Sequence, residues 1–138
     1  MKTLKLQIDI IKDLEKQMHS RKCKKWLQCE NSQSIMFTET HAIYLIDKKD
    51  NYINLERVEN CNFSKAVQTN DDYIEGNNIY MVDNGKITII ENEYSSERLN
   101  SEYLKYFDNP TYKISKKKYN IVECYENNVL VGLILPIK

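Results

Sequence analysis

Glycine and proline are scarce, three and two among 138 residues. With glycine only at 76, 85 and 132, neither a G-x-G-x-x-G nor a G-x-x-x-x-G-K loop can be written, which excludes a phosphate cradle of either kind. The four cysteines, at 23, 29, 61 and 124, never form a C-x-x-C pair, and the gap from Cys23 to Cys29 is not a zinc-finger spacing. No metal and no cofactor are expected. A chain of this length buries a core without covalent staples, so reduced thiols in a cytoplasm are the expectation. No apolar run reaches the ~18 residues that span a bilayer. Asp9 and Asp13 interrupt MKTLKLQIDIIKDL where an export leader needs its apolar centre, so the chain reads as cytoplasmic with no membrane contact.

What is present is ordinary in amount and uneven in placement. Hydrophobic residues make up 41% and charged residues 29%, and the formal net charge is zero. Residues 1–30 carry eight cations against four acids, residues 50–108 five against twelve, and residues 109–138 five against two. A balanced total argues against a strong nonspecific nucleic-acid binder, and most charge runs are solvated surface. Two clusters still qualify as candidate contact faces. Lys12, Lys16, Arg21, Lys22, Lys24 and Lys25 are a candidate nucleic-acid contact, and Asp71, Asp72, Glu75, Glu91, Glu93 and Glu97 a candidate acidic partner surface.

Along the chain, TLKLQI alternates apolar and polar residues and predicts a strand. Asp9 is placed to cap a helix carrying Ile10, Ile11, Leu14 and Met18 to about Ser20. KKWLQCE, SIMFTETHAIYLID and NYINLERV read as strands separated by polar turns. Residues 60–78 form a polar connector with a helical turn near Phe63–Val67. NNIYMV and KITIIENE flank Asp83-Asn84-Gly85, the strongest hairpin signal in the chain. Asn100 or Ser101 is placed to cap a second helix holding Tyr103, Leu104 and Phe107, which Pro110 stops. YKIS, KYNIVECYE and NVLVGLILPI complete the strands. The expected class is α+β, a single domain over 1–138. It is composed of two β-α-β-β-β repeats, about 1–59 and 79–138, whose two helices pack on a shared antiparallel sheet. The apolar C-terminal end is then a strand covered on both faces.

Catalysis would require a nucleophile beside one of the two histidines, His19 and His41. Cys29 and His41 are the one pair that adjacent antiparallel strands would bring near. A histidine without an orienting partner has no defined role, so His41 reads as a half-exposed sheet residue and His19 as a favourable cation at a helix C-terminus. No catalytic residue is expected. Ten tyrosines are scattered, which suits sheet surfaces better than a base-stacking platform, and Trp26 reads as core.

Three stretches carry a family resemblance: FTETHAIYLID at 37–47, NSEYLKYF at 100–107 and GLILPIK at 132–138. With the doubled β-α-β-β-β pattern they resemble one domain of the bacterial sliding clamp, the polymerase processivity factor, and more closely the small clamp-like proteins of phages. The resemblance implies a phage or mobile-element protein, working in the host cytoplasm, that contacts DNA or replication and defence proteins. Clamps chain two or three such domains into a ring of six, so a ring here would require a homo-oligomer. In clamps the apolar-Pro-apolar-basic tail lines a cleft that accepts short linear motifs, which maps onto Leu135, Pro136, Ile137 and Lys138. The alternative class is a protein-only inhibitor, a decoy that uses its acidic middle to block a nucleic-acid-binding surface.

Overall fold

The computed structural model describes residues 1–19, 23–62, 72–116 and 121–138. Among these residues there is one α-helix, α1, which spans Thr3–Met18. The expected first strand is therefore the start of this helix. Leu4, Leu6 and Ile8 alternate, but the buried line is Leu6, Ile10 and Leu14, spaced four apart, while Leu4 and Ile8 face solvent. No side chain caps the helix at Lys2, so its hold on the rest of the chain comes from packing and a few polar ties. Gln7 supplies two of them. Its side chain, 1% exposed, donates to the Asp50 carbonyl at 2.8 Å and accepts from the Tyr52 amide at 2.6 Å.

Eleven strands follow among the described residues: β1 Leu27–Glu30, β2 Ser34–Thr38, β3 Ala42–Asp47, β4 Glu59–Asn60, β5 Tyr73–Gly76, β6 Asn78–Val82, β7 Ile87–Glu91, β8 Ser96–Asn100, β9 Thr111–Ser115, β10 Val122–Glu126 and β11 Val129–Ile134. Eight of them form one sheet in the order β4-β1-β2-β3-β11-β10-β9-β5, antiparallel except where β4 runs parallel to β1. The other three form a small antiparallel sheet, β6-β7-β8. Leu6 and Ile10 from α1, Phe37 and Tyr44 from the large sheet, and Ile90 and Leu99 from the small one belong to a single buried cluster.

The class is α+β, with one α-helix among the described residues and sheets that are mostly antiparallel. The order of elements is not a doubled β-α-β-β-β. No strand precedes α1, and the expected second helix is a 3-10 turn of four residues, Ser101–Leu104, whose Asn100 side chain accepts from the Glu102 amide. NYINLERV is likewise a loop with a 3-10 turn at Leu55–Arg57 rather than a strand. The expected connector holds β5, and its proposed turn at 63–67 lies outside the described residues.

The apolar C-terminal stretch is central. β11 pairs with β3 on one side and β10 on the other, so its Leu133 and Ile134 are interior residues. Two turns close the adjacent hairpins with left-handed residues, Asp83, Asn84 and Gly85 between β6 and β7, and Asn127 and Asn128 between β10 and β11.

Candidate partner-binding surface

Beyond β11 the chain leaves the large sheet and crosses to the small one. The Leu135 amide donates to the His41 carbonyl at 2.8 Å, and the Ile137 amide donates to the Arg98 carbonyl of β8 at 2.7 Å. Between them Pro136, which has no amide to place, is buried. Alternation then turns Leu135 and Ile137 outward, 38% and 42% exposed, with Lys138 beyond them. The tail is thus fixed by its main chain and presents two aliphatic side chains.

Each of these side chains borders an open cleft. Ile137 faces a cleft of about 470 Å³ walled by the β6–β7 turn, including Gly85 and Lys86, and by Asn100–Glu102. Leu135 borders a smaller one of about 120 Å³ with Glu39, His41 and Ile121. Glu39 and His41 on the wall of the smaller cleft are held by neighbouring groups. The Glu39 carboxylate accepts from the His41 amide at 2.6 Å, His41 Nδ1 lies 3.2 Å from the Tyr103 hydroxyl, and the Lys24 ammonium sits 4.9 Å from the Tyr103 ring centre. Burial, with Glu39 and Glu102 adding to it, pushes the Tyr103 hydroxyl pKa up.

Of the four residues expected to form a groove, Leu135, Ile137 and Lys138 are exposed and Pro136 is the buried anchor. The basic set is not brought together as one free face. Lys12 and Lys16 are exposed on α1, Lys24 is over Tyr103, and Lys25 pairs with Glu59 at 3.1 Å, while Arg21 and Lys22 lie outside the described residues. Asp9 and Asp13 turn inward, to the Tyr106 hydroxyl at 2.7 Å and the Trp26 indole at 2.9 Å. Lys5, Lys12 and Lys16 are exposed on the helix, with Glu15 exposed among them.

The acidic set is also divided. Asp72, Glu75 and Glu93 are exposed, Glu91 is half-buried and accepts from the Asn78 side chain at 2.8 Å, and Asp71 lies outside the described residues. Glu97 is 4% exposed, paired in register with Ile90 on the inner face of the small sheet. It belongs to the interior, so the six do not form one outward surface.

Cys29 and His41 are kept apart. Cys29 is in register with Met36, whereas His41 lies past the far end of that pairing, where Leu27 meets Thr38. His19 is exposed at the C-terminus of α1, its amide donating to the Lys16 carbonyl at 3.1 Å, and Trp26 is in the core at 2% exposure.

A buried polar cluster went unrecognised in the sequence. Glu123 of β10, 3% exposed, accepts from the Tyr125 hydroxyl at 3.0 Å and is in register with Lys113, whose ammonium lies 4.7 Å from the Tyr125 ring centre. Burial raises the Glu123 pKa, against the pull of the Tyr125 hydrogen bond and the Lys113 charge, and Tyr125 is itself pushed up to about 12, mainly by burial and then by Glu123. The signal was a lone acid inside the apolar run IVECY.

No family model, curated protein or solved structure matches the chain. Among the described residues no helix is long and apolar enough to cross a membrane.

Proposed function

We propose that the chain is a non-enzymatic binding module that takes an extended, apolar-anchored segment of another protein along its C-terminal tail. The observation that carries this reading is the main-chain anchoring at Leu135 and Ile137, which holds their side chains outward beside two open clefts. A pre-ordered aliphatic edge loses little entropy on binding, and a partner's aromatic or Leu side chain entering a cleft supplies the anchor. This is the part of the clamp resemblance the proposal retains: an apolar-Pro-apolar-basic tail used for linear-motif capture. DNA contact through Lys12 and Lys16, and decoy action through Asp72 and Glu75, are the competing readings.

Selection of a random peptide library on the wild-type protein, followed by titration of the selected peptide, tests the proposal. Ile137→Asp and Leu135→Asp should each weaken that peptide at least tenfold, about 1.4 kcal/mol, while Lys12→Glu with Lys16→Glu leaves it unchanged. Failure to select any consensus, or a peptide indifferent to both tail variants, rejects the tail as the site. Loss of a DNA or protein ligand on charge reversal at the helix lysines or at Asp72 and Glu75 would favour the respective competitor.

A further inference from the structure

The edges of the two sheets are finished differently. β8 meets the tail at one point, the Ile137 amide on the Arg98 carbonyl, and carries the charged Glu97 and Arg98. At one end of the large sheet β4 is only two residues long and carries Glu59, tied to Lys25; at the other end β5 carries Glu75. Short strands, charges and covering segments are the usual ways a protein keeps a sheet edge from pairing with another chain.

Among the described residues β6 has none of these. It ends the order of the small sheet, and no main-chain hydrogen bond joins its outer edge to another described residue. From Asn78 to Val82 it contains no charge, no proline and no glycine. Its apolar side chains are in solvent on both faces: Ile79 is 47%, Tyr80 42% and Met81 67% exposed. Ile79 and Met81 share a face with Ile90 and Thr88, both buried, so the inner apolar row of the small sheet runs out past the core and stops in water.

We infer that β6 is the pairing edge for a second copy of this chain, antiparallel, with Tyr80 of both copies on the two-fold axis. The strand matches itself in that register. Ile79 falls opposite Met81 of the second copy, twice, continuing the row from Ile90 across the dyad. Asn78 falls opposite Val82, and the flanking Asn77 opposite Asp83, so no like charges meet. Tyr80 faces Tyr80 on the other face. The product is a six-stranded sheet, β8-β7-β6 joined to β6-β7-β8, with a closed isologous interface. A contact through a single short strand lies in the transient class.

Sedimentation equilibrium over a concentration series tests this. The wild type should shift from monomer to dimer, and Tyr80→Lys and Tyr80→Glu should each stay monomeric, at least tenfold weaker, because each places like charges on the dyad. Mixing the two variants should restore a dimer containing one of each. Both variants change an exposed position, and unchanged near-ultraviolet circular dichroism confirms their fold. Ile137→Asp should dimerise as wild type does, which separates this edge from the tail. A wild type that stays monomeric throughout overturns the inference, as do a dimer indifferent to Tyr80 and a mixture that fails to reassociate.

Discussion

The Trp26 indole N–H donates to the Asp13 carboxylate across 2.9 Å, joining the third turn of α1 to the segment that enters β1. The Cys23 thiol donates to the Asp13 main-chain carbonyl at 3.4 Å, so both the side chain and the backbone of one helical residue hold the returning chain. Turning this acid inward has a second effect, since it withdraws a negative charge from beside Lys12 and Lys16.

Removing that acceptor strands a buried donor. Asp13→Ala should cost about 1–3 kcal/mol, and Asp13→Asn, which retains an acceptor oxygen, clearly less. The chain has one tryptophan, so its emission during urea unfolding reports directly on this contact. An alanine variant as stable as wild type would show that the bond does not hold the helix to β1.

Glu123 makes stability depend on pH in an unusual direction for a carboxylate. Its folded pKa lies above the ordinary value of 4.5, chiefly because of burial, so the folded protein binds this proton more tightly than the unfolded chain does. The stabilisation from the protonated acid is complete below the ordinary value and is lost as pH rises through the folded one. Glu123→Gln keeps an acceptor for Tyr125 and has no proton to lose. Its stability relative to wild type should therefore improve between pH 4 and neutrality, as read from urea midpoints at each pH. A difference that stays constant with pH would remove Glu123 from the balance.

Turns that need left-handed residues were legible in the sequence, whereas turns closed by side-chain hydrogen bonds and elements decided by packing were not. Asp83-Asn84-Gly85 announced its hairpin because left-handed residues are needed there, and all three have positive φ. The β2–β3 turn was missed because SIMFTETHAIYLID contains no glycine or proline. It is closed instead by the Thr38 hydroxyl on the Ala42 carbonyl at 2.9 Å and by Glu39 on the His41 amide. NYINLERV has strand-like residues, yet the Asn51 and Asn54 side chains bond the amides two residues on and curl the backbone. In TLKLQI the alternation was real but irrelevant, since α1 leaves two of its three apolar side chains, Leu4 and Ile8, outside. β8 stayed hidden because SERLN places an acid, Glu97, at an inward position. Leu135, Pro136, Ile137 and Lys138 were set as a groove only by the clamp resemblance, while the residues themselves read as a covered strand; the anchoring of the tail on His41 and β8 was not legible, because β8 itself had not been read.

Gly132 is a tight point of the large sheet, and its place rests on space rather than on backbone angle. It sits in β11 opposite Tyr44 of β3 and Cys124 of β10, and an added Cβ would lie 2.6 Å from Phe107 Cζ and 3.2 Å from the Ile43 carbonyl oxygen. The Phe107 ring has little room to retreat, being 5% exposed with its centre 5.8 Å from that of Tyr44. Gly132→Ala should therefore destabilise the protein by about 1–3 kcal/mol through overpacking, despite the better strand propensity of alanine. Shortening the ring tests the cause. Phe107→Leu creates a cavity and is costly alone, but combined with Gly132→Ala the two should cost less than the sum of the single changes, by at least 0.5 kcal/mol in a double-mutant cycle on urea unfolding. Strict additivity would mean that the alanine acts on the Ile43 carbonyl or the strand register, and that Phe107 is not what reserves this position for glycine.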